Sequence, residues 1–313
     1  GMSICGHLVG ATTGIIYLRY EYPDALRELE QAVAEARSEG LLGAFELQVV
    51  RGAGSYVCGE ETALLNSLEG KIPWPKERPP FPTEAGLFGK PTLVSNVETM
   101  AFIPPILEQG PEWFRGLGRG ENAGTKIYSI SGAVKRPGNY ELPLGVTARE
   151  LIMEFAGGPP EGRELKAFTL GGISGGLLGS ECLDQNLDYR SPQVEGFTLG
   201  SGGMVVLDED CCVVDFVRNC LRFYEAESCG KCYPCRIGTI RLRECLDGVT
   251  GRAALSHEVG GEIKQIQEVM AKTSACGLGV SAPLLLDGMY RFFGREVDEH
   301  LEKGVCRAGV CRF

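Results

Sequence analysis

Three cysteines fall within Ser228-Cys229-Gly230-Lys231-Cys232-Tyr233-Pro234-Cys235-Arg236, the strongest chemical signal in the chain. Thiolates spaced C-x2-C-x2-C wrap one loop around three corners of a [4Fe–4S] cubane, and soft sulfur ligands suit iron. Gly230 gives the loop the freedom to turn tightly. A fourth thiolate has to come from elsewhere. Cys276 is the candidate, because it stands in the glycine-rich run Thr273-Ser274-Ala275-Cys276-Gly277-Leu278-Gly279, where small residues permit close approach. Cys245 is the rival; it lies on the helix expected to leave the motif, ten residues after Cys235, and points elsewhere. A structural zinc site is the competing reading. Such sites usually pair one C-x2-C with a second, distant pair, so three cysteines in one run favour the cluster.

The chain has 13 cysteines in all. An odd number in a long chain without a secretory signal is a poor disulfide framework and fits a reducing compartment with metal binding. Cys58, Cys211, Cys212 and Cys220 read as small buried hydrophobes rather than ligands. Cys306 and Cys311, in Cys306-Arg307-Ala308-Gly309-Val310-Cys311, could bind metal, pair with each other, or stand as unpaired thiols at a chain end.

A second chemical signal is Arg51-Gly52-Ala53-Gly54-Ser55-Tyr56-Val57-Cys58-Gly59-Glu60-Glu61-Thr62, between an expected strand and helix. Small residues there let backbone amides face an anion or a flat ring. Glu60 and Glu61 have two readings: they complement the helix dipole, or they hydrogen-bond the ribose or amide of a nucleotide.

The elements that position these residues follow from hydrophobic period and turn signals. Residues 14–22 read as a strand, Asp24 as an N-cap, and Leu26, Leu29 and Val33 as one face of a helix stopped at Gly40. Residues 45–50 form the next strand, and a helix follows Gly59. Strand–helix–strand–loop–helix predicts an α/β unit with a parallel sheet. Residues 73–82, PWPKERPPFP, are an extended proline-rich loop, and 115–124 a linker. Residues 126–134, 168–172 and 204–207 read as strands and 147–155 as a short helix, a small module of β-grasp type. From about Asp210 the texture is helical, with helices expected over 211–226, 237–246, 258–272 and 282–293.

Composition closes off other functions. The 313 residues are 43% hydrophobic and 23% charged, ordinary for a globular chain with a normal core. No apolar run reaches a membrane-spanning length. A net charge of −10 repels phosphate backbones, so nucleic acid is excluded as a partner. The basic clusters Lys71, Lys76, Arg78 and Arg236, Arg241, Arg243 read as solvated faces.

Six blocks occur in order: Gly52–Leu64, Leu68–Lys71, Pro79–Pro82, Gly86–Gly89, Val94–Thr99, and Glu227–Cys232 onward to Cys276. Together they resemble the NADH-binding flavoprotein subunit of respiratory complex I, and the diaphorase subunits of NAD-reducing hydrogenases and NAD-dependent formate dehydrogenases. The resemblance runs over essentially the whole chain. It implies a partial Rossmann-like FMN/NADH α/β domain over 1–123, a β-grasp domain of the soluble-ligand-binding type over 124–207, and a helical iron–sulfur domain over 208–313. Activity would be that of an NADH:acceptor oxidoreductase subunit, passing electrons from NADH through FMN to the [4Fe–4S] cluster.

By resemblance, Tyr56, Gly59, Glu60 and Glu61 would border FMN and NADH. Asn96, Thr99 and the backbone near Val94 and Ser95 would line the flavin, and Phe81 would stack near the adenine. Gly277 and Leu278 would lie between flavin and cluster. Ser95 departs from the family's usual asparagine pair. The partners implied are a thioredoxin-like [2Fe–2S] electron-transfer subunit and a larger complex I-like, hydrogenase or formate dehydrogenase assembly. The location implied is cytoplasmic, peripheral to a membrane only through such a complex. No segment matches the family's upstream loop, of the form GRGGAGFPTG-x-K-W, which holds the flavin phosphate, nor the acidic stretch after it. The chain therefore reads as N-terminally truncated. The alternative function is a non-catalytic iron–sulfur scaffold or fragment that no longer holds flavin; the two readings predict opposite outcomes for flavin retention.

Overall fold

The computed structural model describes residues 1–190, 196–251 and 257–313. The chain divides into two compact units, Gly1–Phe114 and Arg115–Phe313.

The first unit opens with α1 (Met2–Val9), followed by β1 (Thr13–Leu18), α2 (Pro23–Ser38) and β2 (Glu46–Arg51). β1 and β2 pair in parallel, Thr13 against Glu46 through Leu18 against Arg51. The helical crossover between parallel strands is α2. Leu26, Leu29 and Val33 form its half-buried face, while its charged residues are exposed. The N-cap is Tyr22 rather than Asp24. Pro23 takes the first helical position, where a missing N–H costs nothing, and Asp24 is left inside the first turn, paired with Arg27. At the other end Gly40 adopts φ 73°, the left-handed stop its position predicts. A single 3-10 turn (Tyr56–Gly59) leads into α3 (Glu61–Leu68). The proline-rich stretch is extended up to the short α4 (Pro82–Ala85), and α5 (Val97–Gln109) and α6 (Pro111–Leu117) follow. The expected linker over 115–124 is therefore helical in its first residues.

The second unit joins a mixed sheet to a helical bundle. Its strands are β3 (Thr125–Gly132), β4 (Gly138–Pro143), β5 (Leu165–Thr169), β6 (Leu177–Gly179) and β7 (Gly203–Asp208), in the order β4-β3-β7-β5-β6. Of these strands, only β3 and β7 pair in parallel. A π-helical turn (Glu150–Phe155) covers one face, where Leu151 and Ile152 meet Tyr128, Phe168 and Val206 in a core of their own. This is the β-grasp arrangement. Its second strand, β4, and its edge strand, β6, are too short or too polar to carry an apolar alternation, and sequence reasoning does not find them.

The bundle consists of α7 (Val213–Glu227), α8 (Tyr233–Thr250), α9 (His257–Thr273) and α10 (Gly277–Lys303). Val217, Leu221, Leu242, Leu246, Ile263, Leu285 and Met289 are buried together, and Ala167, Leu177 and Leu207 of the sheet join the same cluster. α10 is far longer than the helix expected over 282–293; it runs on through an irregular residue, Phe293. Among the described residues no helix is long and apolar enough to cross a membrane.

Candidate functional site

The C-x2-C-x2-C loop lies between two helices. α7 ends at Glu227, Ser228 caps it, and α8 starts at Tyr233 with Cys232 as its N-cap. Pro234 sits in the first turn of α8, where proline is favoured. Gly230 takes φ 74°, so the turn between the first two cysteines needs the left-handed region that glycine enters without strain. Arg236 braces the loop: its guanidinium reaches the Gly230 carbonyl at 3.5 Å and lies 4.5 Å from the centre of the Tyr233 ring.

Cys276 is the N-cap of α10. Two of the four cysteines therefore cap helices whose positive ends, α8 and α10, favour an anionic sulfur cluster. Burial pushes the Cys235 thiol up to about 11; the Ser228 hydroxyl pulls it down, and charge at Cys232, Cys276 and Cys229 pushes it further up. Cys276 is also raised by burial, and the opening amides of α10, at Leu278 and Gly279, oppose the rise. Cys229, Cys232 and Cys276 therefore lie near enough to Cys235 for their charges to bear on its thiol.

Gly279 shows how tightly that space is closed. A Cβ there would stand 2.5 Å from Ser274 Oγ and 2.9 Å from Cys235 Cβ. Gly279→Ala is expected to push α10 off the cysteine loop, lowering stability by about 1–3 kcal/mol and cluster occupancy with it. Iron content and a thermal melt of the variant check this; parental values in both would mean that α10 is not held against Cys235. Cys245 lies elsewhere, buried among Leu246, Val249 and Ile263 in the bundle core.

A second constellation draws four ligand atoms closer still. Those of Cys212, His300, Cys306 and Cys311 all lie within 4.8 Å of one another. Cys212 Sγ is 3.3 Å from His300 Nε2 and 3.7 Å from Cys311 Sγ. His300 Nδ1 lies 2.7 Å from the Glu296 carbonyl, which can only accept a hydrogen bond, so Nδ1 holds the proton and Nε2 offers its lone pair to the site. Burial raises the Cys212 thiol and lifts that of Cys311 to about 12. Burial acts the same way on Cys306, but the amides of Cys311 and Val310 and the His300 and Cys311 side chains outweigh it and bring the thiol down to about 7.

A tetrahedral zinc ion with Zn–S near 2.3 Å places its sulfurs about 3.8 Å apart, so the second group has the compactness of a single-ion site. Among the described residues it is the group gathered that tightly. Cys229, Cys232, Cys235 and Cys276 are not drawn together within 4.8 Å of one another. Sequence reasoning raises Cys306 and Cys311 as possible metal ligands but misses Cys212 and His300. Cys212 reads as a buried hydrophobe and is indeed buried, but its thiol faces His300. The available signal was the spacing of His300, Cys306 and Cys311.

In the first unit, the proline-rich loop is fastened over the start of α3. Asn66 Nδ2 donates to the Trp74 carbonyl at 2.6 Å, and the Lys76 amide donates to Thr62 Oγ1 at 2.8 Å. Arg78 is thereby set against both acids: it pairs with Glu60, and with Glu61 at 3.0 Å. Glu60 also accepts from the Ala63 amide at 2.8 Å, so it caps α3 as the helix-dipole reading has it. Gly59 is exposed and Tyr56 half-buried beside these acids. Phe81, at the end of the loop, leaves its ring 49% exposed, open to a flat partner. Asn96 caps α5, accepting from the Glu98 amide at 2.8 Å; Ser95 and Thr99 are exposed beside it and Val94 is half-buried. The structure thus gathers Glu60 and Glu61 with Arg78, and sets Val94–Thr99 at the head of a different helix. Gly277 and Leu278 open α10 in the second unit, Gly277 exposed and Leu278 packed on the bundle core. Both basic clusters carry acidic partners: Lys71 pairs with Glu69, Arg241 with Glu244 and Glu262, and Arg243 with Glu225 and Asp247.

Residues 1–105 match the Nuo51 FMN-binding domain, 127–176 the SLBB domain, and 215–300 the iron–sulfur binding region of NADH-ubiquinone oxidoreductase F. The F subunit of NADH-quinone oxidoreductase from Mycobacterium tuberculosis H37Rv is 44% identical over 98% of this chain and 70% of its own length. An F subunit of the same enzyme from Rhizobium meliloti is 40% identical over 98% of this chain and 74% of its own length. The NADP-reducing hydrogenase subunit HndC of Solidesulfovibrio fructosivorans is 42% identical, and the chain spans 65% of its length. A solved NAD+-reducing [NiFe]-hydrogenase in the H2-reduced state superposes with a TM-score of 0.87 at 34% identity over 96% of this chain and 51% of that one.

Proposed function

The chain belongs to the family of NADH-quinone oxidoreductase F subunits, and we propose that it passes electrons from NADH through FMN to a [4Fe–4S] cluster on Cys229, Cys232, Cys235 and Cys276. The observation that supports this reading is that Cys232 and Cys276 head α8 and α10 while the charges of Cys229, Cys232 and Cys276 bear on Cys235. When bound, FMN supplies hydride acceptance from NADH and release of electrons one at a time, and the cluster supplies a one-electron acceptor. No side-chain acid or base is needed for hydride transfer; the residues place and orient. Tyr56, Gly59, Glu60 and Glu61 border FMN and NADH, and Phe81 offers its exposed ring to the adenine. Val94, Ser95, Asn96 and Thr99 line the flavin, and Gly277 and Leu278 adjoin the cluster. The acceptor beyond the cluster is a thioredoxin-like [2Fe–2S] subunit, within a larger complex I-like, hydrogenase or formate dehydrogenase assembly on the cytoplasmic side. Cys212, His300, Cys306 and Cys311 hold a structural zinc ion that ties the segment after α10 to the start of α7; Cys3His is a closed donor set with no open position for catalysis.

The alternative is an iron–sulfur scaffold that holds no flavin, and flavin retention separates the two. Purified protein is therefore incubated with FMN, desalted, and exposed to NADH with ferricyanide as acceptor. Retained flavin that NADH bleaches, with ferricyanide reduction, is the result expected. An intact cluster with no retained flavin and no NADH oxidation would select the scaffold.

A further inference from the structure

Two serine hydroxyls flank Cys235. Ser228 Oγ lies 3.4 Å from Cys235 Sγ and accepts from the Gly230 amide at 3.4 Å. A ligating thiolate has no proton to give, so in the loaded site the Ser228 hydroxyl must be the donor; the Gly230 amide, occupying one oxygen lone pair, leaves its O–H to turn toward sulfur. Ser274 is also close to Cys235. Its Oγ is buried and finds no hydrogen-bond partner among the described residues. It precedes Cys276 by two positions, and Gly279 is the small residue where Ser274 Oγ and Cys235 Cβ come together. Buried hydroxyls are rarely left without an acceptor. Cys235 shares the surroundings of Ser274, so a loaded cluster would bring sulfur to a hydroxyl that otherwise lacks an acceptor among the described residues.

We propose that Ser228 and Ser274 are positioning residues that donate hydrogen bonds to the sulfur shell of the cluster and raise its reduction potential. The inference rests on the cluster reading above. One-electron reduction adds a negative charge that spreads onto the sulfurs, and a fixed donor stabilises the reduced form more than the oxidised one. Removing either hydroxyl then lowers the potential without removing a ligand. Electrons reaching the cluster would meet an acceptor poised by its two serines rather than by solvent.

The test uses the full chain with its cluster, in parental form and as Ser228→Ala and Ser274→Ala. Iron content comes first, then EPR-monitored redox titration, then pulsed ENDOR on the parental protein in H2O and 2H2O. Unchanged iron content, a more negative midpoint in each variant, and strongly coupled exchangeable protons in the parent are expected. Parental midpoints in both variants at full iron content would overturn the inference, as would the absence of exchangeable proton couplings in the parent, which needs no variant to fold. A parental chain that holds no cluster would overturn the cluster reading itself and this inference with it.

Discussion

Cys232→Ala and Cys276→Ala are each expected to abolish the EPR signal of the reduced cluster, while Cys245→Ala leaves it intact. Losing an outer-shell partner alone typically costs about 10–100-fold in metal affinity, and losing a ligand costs more. The two positions probe different parts of the structure. Cys232 belongs to the loop between α7 and α8, and Cys276 to the head of α10, so a cluster that survives one change but not the other would locate the error in the assignment. Cys245 is the control: it lies in the bundle core, and burial pushes its thiol up to about 11, so it stays protonated at neutral pH. Its loss should cost some packing and no iron.

The second large effect concerns the Cys212, His300, Cys306 and Cys311 site. A strong chelator, or His300→Ala, is expected to lower the melting temperature of the protein substantially. Binding at about a thousandfold excess over Kd contributes roughly 4 kcal/mol to the folded state. For a unit of this size each kcal/mol is worth about 2–4 °C, so the fall should be on the order of 10 °C. Chelation should also be easier in mild acid. Cys212 and Cys311 have thiols raised by burial and hold their protons until a metal displaces them, so metal binding releases protons and tightens as pH rises. The melting shift is the readout, with zinc content measured in parallel. No bound metal together with an unchanged melting point would mean that the four side chains pack as a polar cluster. Much of the local structure would survive metal loss, because Arg307 makes a bidentate pair with Glu299 at 2.7 and 2.5 Å and the Arg312 amide reaches the Thr250 carbonyl at 3.2 Å.

These two sites differ in how far the sequence discloses them, and the reason is physical. Three of the proposed cluster ligands fall in one short run that passes from a loop into the first turn of α8, so their spacing is readable in the sequence, and the fourth stands in a glycine-rich run. In the second site Cys212 is separated from His300 by a whole helical bundle. Nothing local marks Cys212, since a buried thiol and a ligand thiol look alike until the chain folds. The α/β start is legible because β1, α2 and β2 keep their hydrophobic periods and stop signals. Asp24 misleads as a cap because Pro23 beside it is a stronger determinant of where the helix begins. β4 and β6 are missed because a polar strand and a three-residue edge strand carry no alternation to read. Glu60 could be read as a cap or as a nucleotide contact, and the capping role becomes visible only once the Ala63 amide is placed against its carboxylate.

The most direct test of the cluster assignment is anaerobic quantification of iron and acid-labile sulfide on the reconstituted chain, with an EPR spectrum after dithionite reduction. Roughly four irons and four sulfides per chain and the signal of a reduced [4Fe–4S] cluster are expected, all dependent on Cys232 and Cys276. A chain that takes up zinc alone, or no iron after reconstitution, would contradict that assignment.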